Sequence, residues 1–197
     1  MNPTKWPEEA ESSMKSSDPE IRPSGHTPEG GVLIGHATAS RSLVIFEDPQ
    51  CPYCREFEEL NGPVVAAAVV AGELAVEYRM RCFLGPESVR ADNALVLAAE
   101  ADRFDEFRQT LFAAQPPEGT GGFTNEILVD LGAQVGLTAS DFVSGVQEAR
   151  YAQWVLKREE LYETQDPQGT PAAWLNGNLV DSTALFDRLA FENELRA

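Results

Sequence analysis

The chain has 197 residues, 43% of them hydrophobic, and a formal net charge of −17 at pH 7. That length allows one domain with a sizeable core, while the acidity argues against nucleic acid, whose phosphates need a basic patch, and against an anionic membrane surface. No stretch approaches the ~20 consecutive apolar residues of a membrane span.

Met1 to about Gly30 is rich in Pro, Glu, Ser and Lys and reads as a polar tail, disordered or laid along the surface, with Trp6 as its anchor. Gly31 to Ile34 predicts a short edge strand, and Ser42 to Phe46 a central strand apolar enough to be buried on both faces. A helix then opens at Cys51 and runs to about Leu60. Asn61-Gly62-Pro63 signals its end and a restart, and Val64 to Ala71 continues as an Ala/Val-rich helix closed by Gly72. Leu74 to Met80 alternates like a strand with one packed face, completing a β-α-β unit with parallel strands.

Ser88 to Asp166 reads as helix broken by loops. Ala91 to Ala101 and Phe104 to Ala113 carry apolar residues at helical spacing, and residues 115–122 form a Pro/Gly loop. Thr124 begins a helix that Gly136 ends, and Thr138-Ala-Ser-Asp141 resembles a capping box opening a single helix as far as Glu163. Ala172 to Leu175, Asn176-Gly177 and Asn178 to Val180 spell a hairpin, after which Asp181 or Ser182 caps a last helix through Leu185, Phe186 and Leu189. The fold class is therefore α/β.

The chemistry concentrates in Cys51-Pro52-Tyr53-Cys54, because it joins a predicted strand to a predicted helix. With Pro52 at the first helical position, where its missing N–H costs nothing, Cys51 becomes the N-cap. Its sulfur then faces unpaired backbone N–H groups and the positive end of the helix dipole, which lowers a thiol's pKa. A thiolate attacks a disulfide sulfur, and Cys54, one turn further in and more buried, is placed to resolve the mixed disulfide. Pro52 and Tyr53 would tune the reduced form. Half of a zinc site is the competing reading, but its other ligands would have to come from Cys82, His26 and His36, which form no second CxxC or close His pair. No metal is expected. An inert structural disulfide is the other, although so short a loop constrains the unfolded chain least.

Over about residues 31–195 the chain resembles the DsbA-like thiol-disulfide oxidoreductases of the thioredoxin superfamily. The resemblance rests on Phe46-Glu47-Asp48-Pro49-Gln50 leading into the CPYC motif, on Gly169-Thr170-Pro171 leading into Ala172-Ala173-Trp174-Leu175, and on the helical stretch between them. It implies a thioredoxin-like fold with an inserted helical domain: a tail over 1–30, a first half over 31–86, the insertion over 87–165 and a second half over 166–197. It also implies that Thr170 and Pro171 form a cis-proline loop that docks substrate, and that the Cys51–Cys54 disulfide serves without a further cofactor. Many members carry a buried acid six residues before the first cysteine, where this chain has Ile45. Glu47, two residues on and on the same strand face, is the candidate proton relay, or else a solvated loop carboxylate.

Among the other candidates, Cys82 reads as a small half-buried apolar residue or as a regulatory or dimer-forming thiol. His26 and His36 read as surface or loop residues, and Phe142, Tyr151 and Trp154 as one face of one helix. Glu56, Glu58 and Glu59 read as a solvated acidic face that would raise the thiol pKa if it lay near. The expected partners are protein or peptide thiols and disulfides, with a redox protein or a low-molecular-weight thiol as second substrate. Starting at Met1 without the pattern of a signal peptide, the chain reads as cytoplasmic, or as extracytoplasmic if a signal or anchor segment has been removed. A thioredoxin-fold binding or chaperone-like module without redox turnover is the alternative function.

Overall fold

The computed structural model describes residues 23–165 and 169–196. Five strands form one sheet in the order β1-β3-β2-β4-β5, comprising β1 (Val32–Ile34), β2 (Arg41–Glu47), β3 (Leu74–Met80), β4 (Ala172–Leu175) and β5 (Asn178–Leu179). The central strand β2 pairs parallel with β3 from Arg41↔Leu74 to Glu47↔Met80 and antiparallel with β4 from Leu43↔Leu175 to Phe46↔Ala172. Leu43 and Ile45 enter the main core, while Phe46 sits edge-on to Tyr162 and Trp174. Burial of both faces explains the near-continuous apolar run of this strand.

Helix α1 (Pro52–Val70) follows β2 and buries Cys54, Phe57, Asn61 and Val65. It passes unbroken through Pro63, where the sequence predicted a stop and restart. The buried residues recur at spacings of three and four on one stripe, and the Asn61 side chain donates to Leu185 O at 2.8 Å in the interior. Tertiary packing along that stripe outweighs the missing N–H of one proline and the propensity of the Asn-Gly pair before it.

Between β3 and β4 run α2 (Pro86–Glu100), α3 (Phe104–Ala113), α4 (Asn125–Gln134), α5 (Ser140–Gln147) and α6 (Ala152–Glu163). Thr124 caps α4 by accepting from Ile127 N. The single helix expected from Thr138 to Glu163 is instead α5 and α6, with Ala149 at φ 51° between them and Ala139, not Thr138, as the first cap. Buried Asn93 on α2 donates to Gly145 O and accepts from Tyr151 N at 2.7 Å, taking over backbone groups at the break. Phe142 therefore packs on Phe107 in the main core, whereas Trp154 belongs to a smaller cluster with Cys82, Val89, Val96 and Val155. The aromatic set does not share one helix face.

The hairpin turns through Asn176 and Gly177 with φ of 50° and 81°, the left-handed pair that a twisted two-residue turn requires. Asp181 accepts from Thr183 N, but the chain then makes only a 3-10 turn over Ala184–Phe186. The last helix, α7 (Arg188–Arg196), starts at Asp187, whose carboxylate accepts from Leu189 N and Ala190 N. One main cluster of buried side chains includes Leu43, Ile45 and Val76 of the sheet, Phe57 and Phe191 on one side, and Leu95, Phe107 and Phe142 of the intervening helices. Trp6 lies outside the described residues.

Candidate active site

The CPYC motif sits where β2 ends and α1 begins. Cys51 is the N-cap of α1 with extended backbone (φ −70°, ψ 116°), Pro52 is the first helical residue, and Cys51 O accepts from Cys54 N and Arg55 N. All three cysteines are free thiols, and Cys51 is 5% exposed while Cys54 is fully buried. The hairpin that begins at β4 brings the Gly169-Thr170-Pro171 loop to the same point. The Thr170–Pro171 bond is cis, and the Cys51 thiol donates to Thr170 O at 3.3 Å across 119 residues of chain.

The two thiols are driven apart in acidity. A hydrogen bond from the Cys54 side chain is the largest influence on Cys51, and outweighs burial, which acts upward. Thr170 and the Cys54 and Tyr53 backbone add to it, bringing Cys51 down to about 6 from an ordinary 9.0. Cys54 is pushed well above its ordinary value, first by burial, then by its bond to Cys51 and the charge of Glu47.

Glu47 and Asp48 flank this pair. Glu47 is fully buried, so the reading of it as a solvated loop carboxylate is corrected. Burial lifts it to about 7 against the pull of Arg108, whose Nε lies 2.8 Å from Glu47 Oε2. Arg108, on α3, also bonds Glu58 and stacks 3.9 Å over the Tyr78 ring. Glu58 therefore leaves the solvated face on which its sequence neighbours Glu56 and Glu59 remain. Asp48, also lifted to about 7 by burial, accepts from Ser88 Oγ at 2.5 Å, Gln50 N at 2.9 Å and Leu84 N at 3.2 Å. Gln115, just beyond α3, donates to Pro49 O at 2.8 Å and Cys51 O at 3.0 Å.

Tyr53 is 60% exposed and stands edge-on to Phe186 at 6.0 Å, forming the rim. Beside the cis-proline loop, a groove of about 420 Å³ is lined mainly by Pro171, Ala172, Trp174, Leu179, Val180 and Leu185. Cys82 lies buried among apolar residues with its N–H donating to Glu159, and burial pushes its thiol far up. His36 is exposed, and His26, in the loop before β1, is half-buried and packs edge-on against Trp154 at 5.0 Å. No group of three or more His, Cys, Asp or Glu suited to a metal occurs among the described residues. Nor is any described helix long and apolar enough to cross a membrane.

Sequence reasoning missed Arg108, Asp48, Ser88 and Gln115. Arg108 lies on α3 and Gln115 in the loop after it, and their partners at 47–51 are more than sixty residues away, so no local pattern announces them.

A thiol that ionises near neutrality, in contact with one that stays protonated, is an arrangement capable of thiol–disulfide exchange. The thioredoxin family model matches residues 27–190, most of the sequence. The chain belongs to the thioredoxin family. Among curated proteins no sequence matches this thioredoxin-family chain. Its fold is similar to those of three solved structures. The first is oxidised BdbD from Bacillus subtilis, with TM-score 0.74, 21% identity, and 83% of this chain and 90% of that one covered. The second is the reduced disulfide bond oxidoreductase DsbG from Mycobacterium tuberculosis, with 0.73, 23%, 87% and 89%. The third is MdbA, a thiol-disulfide oxidoreductase from Actinomyces oris, with 0.79, 17%, 95% and 98%. The thioredoxin-like fold with helices between its two halves is thus shared with DsbA-type proteins.

Proposed function

We propose that this protein is a thiol-disulfide oxidoreductase acting on protein or peptide substrates through Cys51 and Cys54. The observation that carries this reading is the placement of Cys51 at the N-cap of α1, with its thiol donating to Thr170 O of the cis-proline loop and Cys54 buried one turn further in. The Cys51 thiolate attacks one sulfur of a substrate disulfide, that S–S bond breaks, and the departing sulfur leaves as a thiolate that takes up a proton. Cys54 then loses its proton, with Glu47 as the buried acceptor, and attacks Cys51 Sγ. The Cys51–Cys54 disulfide forms, the substrate's second thiol departs, and two electrons have passed to the substrate. Run backwards, the same steps oxidise a substrate dithiol.

Pro52 and Tyr53 set the helix start and the rim. Thr170 and Pro171 present backbone to an extended substrate chain, with the apolar groove beside them taking its side chains. The dithiol carries the electrons, so no additional cofactor is needed. A protein redox partner or a small thiol resets it.

The test is exchange with a model disulfide substrate by the wild type, Cys51→Ser and Cys54→Ser. Cys51→Ser abolishes exchange, and Cys54→Ser accumulates a mixed disulfide on Cys51. Full activity in Cys51→Ser would overturn the role of Cys51, and a wild type that exchanges nothing would overturn the proposal and leave a binding module. A strongly oxidising potential would assign work outside the cytoplasm, and a reducing one work inside it.

A further inference from the structure

The loop over residues 115–122 reads from sequence as a mere connector, yet it is strapped against the segment that carries Cys51. Gln115, 9% exposed, donates its carboxamide to both Pro49 O and Cys51 O. Gly119 N donates to the side chain of buried Gln50 at 3.0 Å, and Gly121 N donates to Glu87. Gln50 in turn reaches Ser88 Oγ at 3.0 Å, the same hydroxyl that donates to Asp48. Arg108 of α3 and Gln115 of the loop that follows it thus hold the turn from both ends, Arg108 on Glu47 and Gln115 on Pro49 and Cys51.

Resting on the redox reading of Cys51, we propose that Gln115 is the positioning residue of the reactive thiol, holding the N-cap turn and setting its electrostatics from the helical half of the molecule. Cys51 O already accepts from Cys54 N and Arg55 N as the helix starts. A third donor on that oxygen, shared with Pro49 O, draws electron density away from two carbonyls that border the sulfur. The potential at Sγ becomes more positive, which favours the thiolate. The same two bonds fix the backbone angles that direct Sγ toward Thr170 rather than into the interior. Removing the donor while keeping the bulk therefore makes Cys51 a weaker acid without touching Cys54, Asp48 or Glu47, the titratable groups that act on the pair.

The experiment is the pH profile of Cys51 alkylation in the full-length reduced protein, compared among wild type, Gln115→Met and Gln115→Glu. Thr120→Val, which alters the same loop but only a local bond to Pro117 O, is the control. The proposal expects the alkylation midpoint of Gln115→Met to move up by about one pH unit, so that the rate at pH 6 falls roughly fivefold. Gln115→Glu moves it further, and Thr120→Val leaves it in place. A Gln115→Met protein that is less stable but has an unshifted profile overturns the proposal. Should a variant not fold, the unmodified chain decides. The Gln115 side-chain NH2 resonances must titrate with Cys51, and resonances that stay fixed while Cys51 ionises overturn it. An acidic, exchanging Cys51 with no response to Gln115 sinks this inference alone. A wild-type Cys51 that titrates near 9 and exchanges nothing sinks the redox reading instead.

Discussion

The pH dependence of the reduction potential is the sharpest test of the dithiol. Reducing the disulfide takes up two electrons and, when both thiols are neutral, two protons. A tenfold change in the equilibrium constant of a two-electron couple is about 30 mV, so the potential falls about 59 mV per pH unit while both sulfurs are protonated. Once Cys51 ionises in the reduced state, only one proton is taken up and the slope drops to about 30 mV. With Cys51 at about 6 and Cys54 far above, the break belongs near pH 6, and the shallow limb extends through pH 8. At pH 7, one unit above the break, ionisation stabilises the reduced form by about 1.4 kcal/mol at full strength, and by nearer 1 after allowance for solvent screening. That raises the potential by about 20–30 mV over a dithiol of ordinary acidity. The sign is that of a depressed pKa, whose stabilisation of the reduced fold grows above pH 6 and disappears as pH falls through it. Equilibration with a thiol–disulfide buffer between pH 5 and 8, followed by trapping and counting of thiols, measures both limbs. A straight line of 59 mV per unit up to pH 8 would refute the reasoning, since it requires Cys51 to be an ordinary thiol.

Cys54→Ala removes the bond that contributes most to Cys51 acidity, so the alkylation midpoint of Cys51 rises from about 6 by about one unit, read from the pH dependence of the rate. Arg108→Met leaves Glu47 buried without its cation and costs about 3–5 kcal/mol in urea unfolding at pH 8. That loss shrinks toward pH 5, because a carboxyl whose folded pKa is raised is favoured in its protonated form, and a pH-independent loss would contradict the assignment. Phe57→Ala, beneath the motif and edge-on to Phe191 at 5.3 Å, costs about 3–5 kcal/mol, with a loss under 1 kcal/mol in the same assay arguing against the packing described.

Local signals carried well wherever a residue's neighbours in sequence are also its neighbours in space. The Cys51 N-cap, the Asn176-Gly177 turn and the Thr124 cap all depend on contacts within a few residues. The failures share the opposite property. α1 runs through Pro63 because Asn61 is anchored to Leu185, 124 residues away. The helix expected from Thr138 to Glu163 breaks because Asn93 of α2 claims the backbone at Gly145 and Tyr151. The start of α7 at Asp187 rather than Asp181 reflects two adjacent segments that each offer a capping carboxylate, a choice that local propensity does not decide. Glu47 was legible as a candidate from its place on the strand, but its ion pair needs Arg108, which nothing near Glu47 announces.

The distance of 119 residues between Cys51 and Thr170 also sets an order of events during synthesis. At about 5–20 residues per second, roughly 6–24 s separate the translation of the thiol from that of the loop that covers it. Cys51 and Cys54 leave the ribosome as a nascent helix start without their roof, open to whatever oxidant or thiol surrounds the growing chain. The pair is thus made early, and its contact with Thr170 can form only late in synthesis.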